Sequence, residues 1–268
     1  MAFVTSYIAY RTQAETPLTV AGKLCVPMLD AVPAGGAPAM LVCHGSGGVD
    51  ARGAFHIAAL NAAGIATLEI DMWAARGTAR GAGARARSVA ETLPDAFGAL
   101  AFLRAQPEID PARIGIMGFS WGGVVTLLSA TRRVSEAMRG DGPGFAAHAA
   151  FYPVVWAYNV VPGMELDDLT GAPVLIQCGA ADAYDDPDGL DQLMARLSPE
   201  TRALVTAITY PDATHAFDRD APEVLVTDPF SHKGAGGQVR FAFDRETAEA
   251  ARGEMVRFVS GALAAPCP

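Results

Sequence analysis

Apolar residues in this chain gather in short, mostly apolar runs rather than strict alternation. Residues 39–43 are a continuous apolar run and 65–70 a mostly apolar one, and both predict buried strands. Residues 113–117, 146–151, 173–178 and 203–210 are short enough for further strands. Residues 3–10 alternate weakly, and 18–27 read as a second N-terminal strand with Gly22 as a turn or bulge. Helical stretches lie between the runs: 51–63, stopped by Gly64; 89–106, an amphipathic segment; an apolar helix over 124–130; and 187–197, with a proline near its start. Residues 244–263 predict a closing helix. Three segments carry no period. Residues 31–38 read as a surface loop, 71–87 as a long loop over one end of the sheet, and 218–238 as a polar Gly/Pro-rich excursion.

Strands alternating with helices predict an α/β fold: a mostly parallel central sheet flanked by helices on both faces, joined by right-handed crossovers. The sequence shows no internal repeat and no interdomain linker. One domain over residues 1–268, without a large lid domain, is the expectation.

Composition narrows the function. The chain has 268 residues, 51% of them hydrophobic, and a formal charge of −9. An acidic chain is a poor match for nucleic acid or an anionic membrane, so neither is expected as a partner. No apolar run approaches the ~18 residues of a membrane span, and residues 1–10 lack the features of a signal peptide. The four cysteines, Cys25, Cys43, Cys178 and Cys267, form no C-x-x-C and no His/Cys cluster. No metal and no cofactor is expected, and a reduced cytoplasmic protein, monomer or homodimer, is the simplest reading.

The chemistry centres on Gly118-Phe119-Ser120-Trp121-Gly122. Flanked by a strand-like run and an apolar helix, this G-x-S-x-G reads as a nucleophile elbow, a strained turn that lifts a serine above the sheet. The bland alternative is a Gly-rich turn that packs a helix on a sheet. A serine needs a base. Of five histidines, His215 follows the last predicted strand directly; His44 reads as loop packing, His56 and His148 lie in helix and pre-strand positions, and His232 sits in the late loop. The orienting acid is expected after the strand between Ser and His. Asp182 stands four residues after that strand, whereas Asp185 and Asp186 read as charges at the following helix start. The chain order Ser120, Asp182, His215 is the α/β-hydrolase order. An oxyanion hole needs two backbone amides. Trp121, next to the nucleophile, and Ser46, in His44-Gly45-Ser46-Gly47-Gly48, are the candidates.

With these residues in view, the chain resembles the dienelactone hydrolase family of α/β-hydrolases, from about Gly22 to the final helix. The resemblance is carried by Cys43-His44-Gly45, by Asp71-Met72-Trp73-Ala74-Ala75-Arg76-Gly77, by residues 95–123 and by the histidine loop 210–217. Two departures stand out. The nucleophile is Ser120 where dienelactone hydrolase has cysteine, and the 44–46 loop lacks that enzyme's glutamate, which is more similar to the family's esterases. The resemblance also implies two arginines holding a substrate carboxylate. Arg219, four residues after His215, is in place for one, and Arg76 is one residue out of step for the other. Trp73 and Phe217 are expected to line an apolar pocket with Trp121.

The expectation is a serine hydrolase acting on small to medium carboxylic esters or lactones through an acyl-enzyme. The alternatives are a dienelactone-type hydrolase of a carboxylate-bearing lactone, an acyltransferase or peptidase on the same triad, and a binding protein on a hydrolase scaffold.

Overall fold

The computed structural model describes residues 2–28, 32, 35–77 and 86–264. Among these residues there are ten strands: β1 (Phe3–Arg11), β2 (Thr19–Pro27), β3 (Ala37–Cys43), β4 (Ala66–Asp71), β5 (Ile109–Phe119), β6 (His148–Phe151), β7 (Val174–Gly179), β8 (Val205–Tyr210), β9 (Val224–Asp228) and β10 (Gly237–Phe241). The helices are α1 (Ala51–Ala62), α2 (Leu93–Arg104), α3 (Trp121–Ala130), α4 (Arg132–Met138), α5 (Trp156–Val160), α6 (Gly189–Arg196), α7 (Pro199–Leu204), the single turn α8 (Ser231–Gly234) and α9 (Arg245–Ala262).

β1 to β8 form one sheet in the order β1-β2-β4-β3-β5-β6-β7-β8. The β1–β2 and β2–β4 pairs are antiparallel, and every pair from β4 to β8 is parallel. The central strands are mostly apolar because both their faces are covered. Phe97 and Leu100 of α2, Val125 and Leu127 of α3 and Leu193 of α6 share one core with Leu41 and Ile116. Ile57 and Leu60 of α1 and Met255 and Val259 of α9 share the other with Met40, Met117 and Leu175. This is the α/β-hydrolase arrangement. Among the described residues no helix is long and apolar enough to cross a membrane.

The structure corrects several expectations. The excursion 218–238 is not a featureless loop: it holds β9 and the start of β10, a two-stranded ribbon separate from the main sheet. The helix expected over 89–106 divides into a 3-10 turn (Val89–Thr92) and α2, with Pro94 in the first turn of α2. Proline cannot donate into a preceding turn, which sets that boundary. α4, α5 and α7 were not anticipated; each has seven residues or fewer, too short for a period to show. Within 71–87 the chain makes a 3-10 turn at Ala74–Arg76, while residues 78–85 lie outside the described residues.

Candidate active site

The parallel strands β3, β5, β7 and β8 deliver the 44–46 loop, Ser120, Asp182 and His215 to one end of the sheet, beyond their carboxyl ends. Ser120 stands between β5 and α3 with φ 50° and ψ −110°. Residues here have to be small because backbones nearly touch. A Cβ on Gly122 would lie 2.1 Å from the Cys43 carbonyl oxygen, and one on Gly118 would lie 2.2 Å from the Gly122 oxygen. The two glycines of the motif let α3 start directly over β3 and β5. Strain at Ser120 is held by its amide donating to the Phe151 oxygen at 2.9 Å and by Val124 N donating to its carbonyl at 2.9 Å.

Asp182 follows β7 and His215 follows β8. Nδ1 of His215 lies 2.7 Å from Oδ2 of Asp182, and both residues are 4% exposed. A carboxylate only accepts, so Nδ1 carries the proton and Nε2 is left as the basic nitrogen. The second Asp182 oxygen accepts from Tyr184 N at 2.9 Å, so the carboxylate is held on both sides. Aromatic rings enclose the imidazole: Tyr184 at 4.4 Å, Tyr152 at 4.8 Å and Phe241 at 5.9 Å between centroids. His232 is elsewhere, exposed in a left-handed turn with Nε2 against Gln238 O. Asp185 accepts from Val155 N and Trp156 N, capping α5 rather than the helix that follows it in sequence. Burial, with the nearby Asp182 charge, pushes its carboxyl up to about 7. Asp186 pairs with Lys233 at 2.8 Å.

The glycine loop after β3 is tied back through its carbonyls. His44 Nδ1 donates to Gly45 O at 2.7 Å while its Nε2 accepts from Met72 N at 2.9 Å, and Trp73 Nε1 donates to Ser46 O at 3.1 Å. This pattern requires a neutral His44, and burial lowers its pKa accordingly. The Trp121 amide begins α3, where amides lack intrahelical acceptors. Ser120, His215, Tyr184, Arg219 and the 45–47 turn all border one half-open cleft of about 340 Å³.

Three residues expected to bind substrate are placed differently. Arg76 bonds both oxygens of Asp95, at 2.7 and 3.2 Å, and the carbonyls of Met72 and Glu91. Its guanidinium completes a buried ion pair and is not available as half of a carboxylate clamp. Phe217 is fully buried between Tyr152 and Tyr210, each 5.5 Å away, and belongs to the core. Trp73 is buried behind the glycine loop, edge-on to Trp121 at 5.3 Å, and so props the loop rather than lining the cleft.

Sequence reasoning missed a polar chain that reaches from the cleft into the core. Asp50 caps α1 and bonds Arg52 through Nε and Nη2; Arg52 is only 6% exposed. Nη1 of Arg52 donates to the Tyr152 hydroxyl at 3.3 Å, that hydroxyl donates to Asp218 at 2.5 Å, and Asp218 meets His56 Nε2 at 2.8 Å. Burial alone would raise Asp218, but His56, Arg52 and Tyr152 together hold it below the usual carboxylate range. The chain joins the helix after the glycine loop to the histidine loop, since Asp218 is three residues past His215. Arg52 and His56, four apart on the buried side of a mostly apolar helix, were the available signal. The cleft also gains a carboxylate that the 44–46 loop lacks, because Asp50 reaches it. Among the described residues no group of three or more His, Cys, Asp or Glu could hold a metal ion.

Comparison with known proteins agrees with this architecture. The "Putative carboxymethylenebutenolidase" of Methylorubrum extorquens is 33% identical over 138 residues, which is 49% of this chain and 43% of that protein. This chain thus covers less than half the length of that curated relative. A Klebsiella pneumoniae structure described as a putative dienelactone hydrolase superposes with a TM-score of 0.67 at 20% identity, covering 97% of this chain and 99% of that one. A dienelactone hydrolase-like promiscuous phosphotriesterase from metagenomic libraries gives 0.67 at 19% identity, covering 97% and 99%. Esterase 2 of Thermogutta terrifontis gives 0.63 at 14%, covering 96% of each chain. At these identities the superpositions speak for the fold. The family model for the dienelactone hydrolase family matches residues 32–261, and the chain belongs to that family.

Proposed function

We propose that the protein is a serine hydrolase that cleaves small to medium carboxylic esters or lactones. The observation that carries this reading is the 2.7 Å Asp182–His215 pair opening onto the same cleft as Ser120, which is held in a strained elbow. In this reading Ser120 Oγ attacks the acyl carbon and His215 Nε2 takes its proton. Asp182 keeps the imidazole in the required tautomer and offsets the charge of the imidazolium. The amides of Trp121 and Ser46 receive the oxyanion. The imidazolium then protonates the leaving alkoxide, and water releases the acyl group by the same steps. Arg219 borders the cleft, but Arg76 is committed to Asp95, so the reading does not require a substrate carboxylate. A cleft of about 340 Å³ suits a small molecule rather than a polymer. Cys25, Cys43 and Cys178 are free thiols, which suits the reducing cytoplasm. The test is hydrolysis of a panel of p-nitrophenyl esters beside a lactone. Ser120→Ala should lower kcat by a factor on the order of 10⁶, with an unchanged circular dichroism spectrum.

A further inference from the structure

The β9–β10 ribbon stands apart from the main sheet, yet one of its faces borders the cleft. Strand geometry sorts its residues. Directly paired positions in an antiparallel ribbon point to the same face. Val224 pairs with Phe241 and Val226 with Val239. Val239 is fully buried, and Val224, Val226 and Phe241 line the cleft beside Ser120 and His215. Leu225 pairs with Arg240 and lies on the opposite face, away from the cleft, at 61% exposure.

Val224 and Val226 are the unusual pair. They lie on the inner face, yet they are 38% and 39% exposed, because the open volume of the cleft lies in front of them. Away from the ribbon, whose own Asp228 also borders the cleft, the border is largely polar: the 45–47 turn, Asp50, Arg52, Tyr184 and Arg219. The apolar surface is therefore concentrated on the ribbon. The ribbon is also fastened to the acid loop. The Tyr184 hydroxyl donates to Asp228 at 2.7 Å, and His232 N donates to Ala183 O at 2.8 Å. Its position is thus coupled to the loop that carries Asp182.

We propose that the ribbon is the specificity wall of the cleft, and that Val224 and Val226 select the apolar part of the substrate. The inference rests on the ester-hydrolase reading and adds which residues read chain length. A buried methylene contributes about fourfold to binding, so a substrate longer by two methylenes should gain up to ~15-fold in kcat/KM if they lie on this wall. Strand alternation makes the proposal position-specific: Val226 reads substrate, and Leu225, its neighbour in sequence, does not.

The experiment measures kcat/KM for p-nitrophenyl acetate, butyrate and hexanoate, and for the methyl and butyl esters of one acid. It compares wild type, Val226→Asp, Val226→Ser, Val224→Asp and Leu225→Asp. The expected result is a wild-type preference for the longer chain in at least one series. That preference should fall to within about twofold of unity in Val226→Asp, decrease in Val226→Ser and Val224→Asp, and persist in Leu225→Asp. Labelling by a small fluorophosphonate should proceed in every variant. The proposal is overturned if wild type has no chain-length preference, if Val226→Ser retains the full preference while labelling normally, or if Leu225→Asp abolishes it equally. Wild-type protein that neither labels nor hydrolyses any ester contradicts the hydrolase reading itself, a result distinct from these.

Discussion

Replacing Arg76 by methionine separates a structural role from a substrate-binding one. The arginine donates to both oxygens of Asp95, a residue 1% exposed, and the side-chain oxygens of Asp95 have no other hydrogen-bonded partner among the described residues. Arg76→Met therefore leaves a buried carboxylate unpaired. Breaking a buried pair in this way costs about 3–5 kcal/mol, a large share of the roughly 5–15 kcal/mol that typical domains possess. The loss should depend on pH. Burial already holds the Asp95 carboxyl above its usual range, and Arg76 is what opposes it. Without Arg76 the folded-state pKa rises further. A carboxyl raised in the folded state can protonate in place, so its destabilising charge is absent below the unfolded value near 3.9 and grows as pH rises through the folded value. The deficit should be greater at pH 8 than at pH 4.5. Urea unfolding at both pH values measures it, with Arg76→Met/Asp95→Leu as the partner variant, which should recover most of the loss. Arg76→Met with wild-type stability refutes the reasoning. So does an activity loss confined to carboxylate-bearing esters in a variant of unchanged stability.

Other expectations follow from the same geometry. Asp182→Asn should lower kcat by about 10³–10⁴ through the wrong His215 tautomer, with little change in KM; a loss under tenfold in steady-state assays contradicts the role of the 2.7 Å pair. Gly122→Ala puts a methyl group 2.1 Å from the Cys43 oxygen. It should cost at least the ~1–3 kcal/mol of ordinary overpacking in thermal unfolding, and wild-type stability would show that the two backbones can separate freely. Burial pushes the His148 imidazole down to about 4. The unfolded chain takes up that proton first, so this group's contribution to stability is lost as pH falls from about 6.5 through 4. His148→Gln should flatten the fall in stability over that window, and an identical slope in both proteins contradicts it.

The layers of the fold were readable because β3, β5, β6 and β7 are covered on both faces and so carry short, mostly apolar runs. The elbow was readable because close backbone approach permits only glycine at positions 118 and 122. The β9–β10 ribbon was hidden because its residues alternate faces amid turn-forming glycines and prolines, and half of its apolar face, Val224 and Val226, meets an open cleft. Arg76 and Phe217 were misread for one reason: proximity in sequence to a motif does not say which way a side chain points. Arg76 turns to Asp95 on α2, and Phe217, two residues from His215, turns into the core. The Arg52–Tyr152–Asp218–His56 chain joins three segments distant in sequence, and the Arg52/His56 spacing on α1 is its one local sign.

The central claim is that Ser120 is the nucleophile, and a mapped covalent adduct tests it most directly. The protein is treated with a fluorophosphonate, digested, and the modified residue located by tandem mass spectrometry, with Ser120→Ala treated in parallel. The account predicts one adduct per chain, on Ser120, slowed strongly by His215→Ala and absent from Ser120→Ala. An adduct on another residue, or equal labelling of the Ser120→Ala protein, would contradict it.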